Sequence, residues 1–209
     1  MFTNVGNPDP ELNLTASDNS IEPWISGEFD ITSLLRGAPR ILNRGQLIDH
    51  VDRQLQIAKK SIDSRFSVIM ANLDNYPDVV REKGRTTADM LIRALVEPVG
   101  SLIAPRDAIA LLENGTIGLL VETARLRGKP QDFAAEMVGL LKSAAADCGI
   151  ANPTVCVGIA KVTGHYAEAE DIVRDAGVAL SVAESEGRDK MQVFHRGMDE
   201  LIAHPPIAI

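Results

Sequence analysis

The sequence predicts an α+β fold, a mostly antiparallel sheet with helices packed on it. Three observations predict it. Short apolar or β-branched runs, "RFSVIMANL" at 65–73 and "TVCVGIAKV" at 154–162, alternate with longer segments of helical period. A strand–turn–strand unit, "DAIALLENGTIGLLVE" at 107–122, sits in the middle of the order. The composition, 45% hydrophobic against 24% charged, is that of a chain able to fill a core.

The elements follow in order. Residues 1–38 are rich in Asn, Asp, Pro, Ser and Thr without a sustained period, and read as a tail or linker. Trp24 stands out in it, either as an anchor packed on the domain or as a docking peptide for a partner. "RGQLIDHVDRQLQIAKK" puts Leu47, Ile48, Val51, Leu55 and Ala58 on one helical face. The apolar run at 65–73 reads as a buried strand followed by turn residues. "TADMLIRALVEPVGSLIA" aligns Leu91, Leu95 and Val99, and Pro98 predicts a kink or early break there. In the central unit, Asn114-Gly115 between two apolar strands is the signature of a two-residue type I′ turn flanked by Glu113 and Thr116. "PQDFAAEMVGLLKSAAA" is a helix with Pro130 in its first turn, where the missing N–H does no harm. After the strand at 154–162, "AEAEDIVRDAGVALSVAESEG" is a helix ending at Gly187 as a left-handed cap. "KMQVFH" is a last short strand, and 197–209 a tail that begins in a helical turn. The core order, β-α-β-β-α-β, is the ferredoxin-like arrangement.

Bulk properties exclude several classes. A net charge of -8 argues against nucleic acid as a partner. No run approaches the roughly 18 apolar residues of a membrane span, and the N-terminus has no secretion-signal pattern. Cys148 and Cys156 lack metal-ligand spacing, so two reduced, packed thiols and a cytoplasmic location are expected. Glycine-rich phosphate loops, HExxH and GxSxG are absent, and His50, His165, His195 and His204 are scattered as surface residues would be.

Five stretches, in order from Leu42 to His195, resemble the GGDEF domain of diguanylate cyclases, the bacterial enzymes that join two GTP molecules into cyclic di-GMP. "LNR" at 42–44 is similar to the family's "xNR", and "ANLDNYPDVVREKGRTTAD" at 71–89 to "DLDxFKxINDxxGHxxGD". "IAPRDAIALLENGTIGLLV" at 103–121 resembles "LRxxDxVARLGGDEFxxLL". "TVCVGIA" at 154–160 resembles "TVSIGVA", and "ALSVAESEGRDK" at 179–190 resembles "ALYxAKxxGRNR". The resemblance implies a nucleotidyl-cyclase-like domain over 39–196, between the two tails.

Its departures bear on chemistry. The family holds two divalent ions on hard anionic oxygens. The resemblance places its first metal-binding Asp on Asn72 and the signature's acid on Gly115; Asp74 and Glu113 lie nearby as solvated acids that do not replace them. The guanine-contacting Asn falls on Val80, whereas its second guanine partner survives as Asp89. A phosphate-binding Lys falls on Glu184, and Arg188 is retained. The inhibitory RxxD site for cyclic di-GMP falls on Ala104 and Asp107, without its Arg; Arg106 is close by but points elsewhere on a regular strand. The resemblance thus implies a catalytically inactive module, with no metal or cofactor, that binds a protein partner or itself in cyclic di-GMP-related signalling. The alternatives are a non-catalytic sensor of guanine nucleotide or cyclic di-GMP built on Asp89 and Arg188, and an active cyclase with substituted ligands.

Overall fold

The computed structural model describes residues 41–60, 65–123, 126, 129–162 and 166–198. Trp24, both expected tails except for 197–198, His165 and His204 lie outside the described residues. The elements are β1 (Ile41–Leu42), α1 (Arg44–Ala58), β2 (Phe66–Leu73), α2 (Tyr76–Lys83), α3 (Arg85–Val99), β3 (Ala108–Leu111), β4 (Ile117–Glu122), α4 (Pro130–Asp147), β5 (Val155–Lys161), α5 (Ala169–Ser185) and β6 (Met191–Val193). The six strands form one sheet in the order β1-β3-β4-β2-β5-β6. The central pairs β3–β4, β4–β2 and β2–β5 are antiparallel; only the short edge strands β1 and β6 pair in parallel.

Helices cover both faces, which is why β2 and β5 are almost continuously apolar. Strand alternation sorts the core into two layers. On one face Ile69, Ala71 and Leu73 pack with Leu91, Leu95, Met137 and Leu141 of α3 and α4. On the other, Val68 and Met70 meet Leu47, Val51, Ile172 and Leu180 of α1 and α5. Each of these side chains other than Ala71 contributes roughly 1.5–3 kcal/mol by leaving water. α5 lies directly on β5 at Gly158, where a Cβ would collide with the backbone of Leu180 and Ala176.

Local signals explain the boundaries. Asn43 caps α1 through a reciprocal box: Gln46 N–H donates to Asn43 Oδ1 at 2.9 Å, and Asn43 N–H to Gln46 Oε1 at 3.1 Å. α3 runs through Pro98 for one further residue and gives way to a 3₁₀ turn, Gly100–Leu102, so the expected early break falls at its very end. Gly187, with φ +117°, follows α5 as expected. Two elements were not anticipated. β1 is two residues long, and α2 is an eight-residue helix where the sequence pattern read as turn. With only Tyr76 and Val79 buried, α2 is too short to display a period. Among the described residues, no helix is long and apolar enough to cross a membrane. Cys148 is half-buried and Cys156 buried, both free thiols. Burial pushes the Cys156 thiol up to about 11.

Candidate functional site

The site positions gather at the carboxyl end of β2, where the β3–β4 turn, α2, α3 and the segment after α5 converge. The last β2–β4 pair is Ala71↔Ile117, so Asn72 comes level with the turn. That turn is of the expected kind: Asn114 and Gly115 both have positive φ, 55° and 75°, and Thr116 N–H donates to Glu113 O at 3.2 Å. A side chain at 115 would have nowhere to go. A Cβ there would lie 2.6 Å, 2.7 Å and 3.0 Å from Cδ2, Cε2 and Cγ of Tyr76. The ring of Tyr76, 5% exposed, therefore stands where the matched acid would begin.

Asn72 has the parity of Met70 and faces α5. Its Nδ2 donates to Glu184 Oε1 at 2.9 Å, while its buried Oδ1 receives no hydrogen bond from a described group. The two lie in a cleft of about 640 Å³ whose walls include Arg44, Met70, Glu113, Arg174 and Leu180. Arg174 is already held by Asp171 at 2.9 Å and Asp175 at 3.0 Å, and Glu113 and Glu184 supply two negative charges. Arg44 was read from the sequence only as part of the motif at 42–44, and Arg174 not at all, because only the packing of α1 against α5 brings them to one cleft.

Asp74, read from the sequence as a solvated acid, is half-buried and has a backbone partner. Alternation returns it to the face of Asn72, just past the end of β2 at Leu73, where its carboxylate lies beside the Cys156 thiol. Asp74 Oδ2 accepts from Asp189 N–H at 3.0 Å, tying down the segment after α5. Asp189 carries its own positive φ of 63° and pairs with Lys142 of α4. Lys142 holds the Asp189 carboxyl below its usual range; burial opposes this and the Val155 N–H assists. Arg188 leaves this anchored segment exposed and approaches Asp78 Oδ2 at 3.8 Å.

Val80 packs on the core from α2 and offers no polar atom. Asp89, at the start of α3, accepts from the Tyr76 hydroxyl at 2.7 Å. Burial first, and this bond second, raise the Tyr76 phenol above its ordinary value. Asp89 also borders a pocket of about 210 Å³ with an apolar floor of Ile92, Leu111 and Leu112, flanked by Arg85 and Arg93. Tyr76 is the residue that sequence reading passed over, although its signal was present: it stands opposite the Phe of the matched motif.

At the far end of the hairpin, Asp107 is buried and used by the backbone. Its Oδ2 accepts from Ala104 N–H at 2.9 Å and its Oδ1 from Glu122 N–H at 2.8 Å. Arg106 is exposed and paired with Glu122 at 3.1 Å. Ala104 and Asp107 are thus joined as a structural turn.

The donor chemistry near Asn72 does not fit a pair of divalent cations. Such ions take hard, mostly anionic oxygens. Asn72 is neutral and donates to Glu184, position 115 has no side chain, and Asp74 accepts a backbone N–H. Among the described residues, no three His, Cys, Asp or Glu side chains come together to hold a metal ion.

This fold and site define a class. Residues 38–190 match the family model "Diguanylate cyclase, GGDEF domain", and the chain belongs to that family, whose setting is cyclic di-GMP signalling. Among individual relatives, it is 26% identical over 164 residues to the bifunctional diguanylate cyclase/cyclic di-GMP phosphodiesterase MucR of Pseudomonas aeruginosa. That match covers 77% of this chain but 23% of MucR. The GGDEF domain of TpbB (YfiN) from P. aeruginosa shares the fold with a TM-score of 0.64 at 15% identity, over 78% of this chain and 96% of that one. The diguanylate cyclase SiaD of P. aeruginosa, solved with its activator SiaC, superposes with a TM-score of 0.59 at 18% identity, over 82% and 68% of the two chains.

Proposed function

We propose that this chain is a catalytically silent GGDEF domain that acts as a protein-interaction or regulatory module in cyclic di-GMP signalling, with 39–196 as the domain. One observation carries the reading. The two positions matched to metal-binding acids hold an amide committed to Glu184 and a glycine whose side-chain space is filled by Tyr76. Restoring the acid at 72 alone does not restore the pair, because position 115 still has no side chain and the Tyr76 ring fills the space where one would begin. The inhibitory-site remnant lends no support to a product receptor, since both Asp107 oxygens accept backbone N–H groups. The sensor alternative is weakened in the same way: Asp89 is bonded to Tyr76, and Arg188 leans toward Asp78.

A domain that keeps its core but not its chemistry offers its surface. SiaD, solved in complex with its activator SiaC, is a relative that binds a protein; this chain is proposed to bind a protein or a second copy of itself. The catalytic half is tested by incubating the purified chain with GTP and Mg²⁺. No cyclic di-GMP above a no-protein control is expected, and product that grows with protein concentration would overturn the reading. The interaction half is tested by affinity capture from the native cell with mass spectrometry. Recovery of a cyclic di-GMP enzyme or receptor is expected, and its absence together with a monomeric mass in solution would refute it.

A further inference from the structure

Residues 184–190, from the last turn of α5 to the start of β6, are all exposed, yet they lie over a fully buried thiol. Cys156 of β5 belongs to the layer under α5, and its Sγ donates to Gly187 O at 3.3 Å. The backbone of Asp189 and Lys190 lies against the same sulfur. The segment is gripped at one residue. Asp189 N–H donates to Asp74 Oδ2 at 3.0 Å, and Asp189 Oδ1 pairs with Lys142 Nζ. Val155 N–H reaches that same oxygen at 3.5 Å. The end of β2, α4 and the start of β5 thus converge on residue 189. They hold it at φ +63°, a left-handed backbone that a residue with a Cβ leaves readily unless it is held. Gly187, at φ +117°, gives the chain a hinge just past α5. Gln192 Nε2 donates to Glu186 Oε2 at 2.6 Å, which braces the two ends of the segment against each other.

We infer that Asp74, Asp189 and Lys142 form a latch that keeps residues 186–190 closed over Cys156. The segment opens as a unit on the hinge at Gly187, while the sheet and α5 stay folded. The ion pair is the working part of the latch, because it ties the segment to α4, which packs on the opposite face of the sheet from α5. Both partners keep part of their side chains in water, 31% for Lys142 and 45% for Asp189, so the pair can part without exposing any core. The inference stands independently of the silent-domain reading.

The experiment is alkylation of the full chain by iodoacetamide, a neutral reagent, followed by mass spectrometry. It uses a Cys148→Ala parent, which leaves Cys156 as the one thiol of the chain. Labelling well below the unfolding midpoint should depend only weakly on urea, because a local opening exposes little surface. Lys142→Met in this parent should label about three- to fivefold faster with the same weak urea dependence, and Lys142→Arg should stay near the parent. Loss of an ammonium group does not favour the thiolate, so a faster rate reports opening rather than a more acidic thiol. Parent labelling that follows the fraction of globally unfolded chain, with the full urea slope, overturns the inference. A Lys142→Met rate equal to the parent's overturns it as well, since the ion pair would then not be holding the segment.

Discussion

Replacing Gly115 by Ala adds one methyl group at the tip of the β3–β4 turn, and its effect can be estimated from geometry. The new Cβ would sit 2.6–3.0 Å from three ring carbons of Tyr76, where carbon atoms prefer about 3.5–4.0 Å. The ring must therefore retreat by about 1 Å, into a core where it is 5% exposed and where its hydroxyl is held by Asp89. Overpacking of this kind costs about 1–3 kcal/mol. At φ +75°, a residue with a Cβ loses a further 1–2 kcal/mol, roughly, relative to glycine. The expected destabilisation is about 2–5 kcal/mol, read by urea unfolding as a lower midpoint with an unchanged slope. Tyr76→Leu in the same chain should recover part of the loss, as two residues in contact couple. A Gly115→Ala variant within about 0.5 kcal/mol of wild type, the ordinary range for an indifferent surface change, would refute the claim that Tyr76 fills the acid's place.

Three further outcomes are expected. Gly158→Ala forces a methyl group into the backbone of α5 at Ala176 and Leu180 and should cost about 3 kcal/mol or more, seen as lost soluble yield or a sharply lower melting temperature. Asp107→Ala strands the N–H groups of Ala104 and Glu122 and should cost about 2–3 kcal/mol by thermal unfolding, with Asp107→Asn losing less. Alkaline pH should weaken the fold: burial pushes the Cys156 thiol up to about 11 when folded against 9.0 for a free thiol, so the unfolded chain releases its proton first. That contribution is whole below pH 9 and lost as pH rises toward 11, with Tyr166 and Tyr76, both raised by burial, acting in the same direction; Cys156→Val should flatten the decline in urea midpoint over this window.

The elements legible from sequence were those with enough length to show a period. α1, α3, α4 and α5 each run 15 residues or more, and each presents its apolar stripe at the expected spacing. α2 and β1 were not legible because eight and two residues carry too few apolar positions to distinguish helix or strand from turn. The turn at Asn114-Gly115 was legible for another reason: two adjacent residues that tolerate positive φ announce a type I′ reversal without help from the rest of the chain. The site divided along the same line. The reading of Asn72, Gly115, Val80 and Glu184 against the matched motif rests on the identity of those side chains and needed no coordinates.

What became of the surviving groups did need them. Asp74 reads as an acid beside a strand end until the fold brings Asp189, 115 residues away, to donate to it. Asp89 reads as a retained nucleotide contact until α2 folds over and delivers the Tyr76 hydroxyl. Residue chemistry is local and is written in the order of the chain; hydrogen-bond partnership depends on distances of about 3 Å that only the packed sheet and helices create. The amino-acid string therefore tells which side chains stand at each matched position, and the folded arrangement tells which of their polar atoms already have partners.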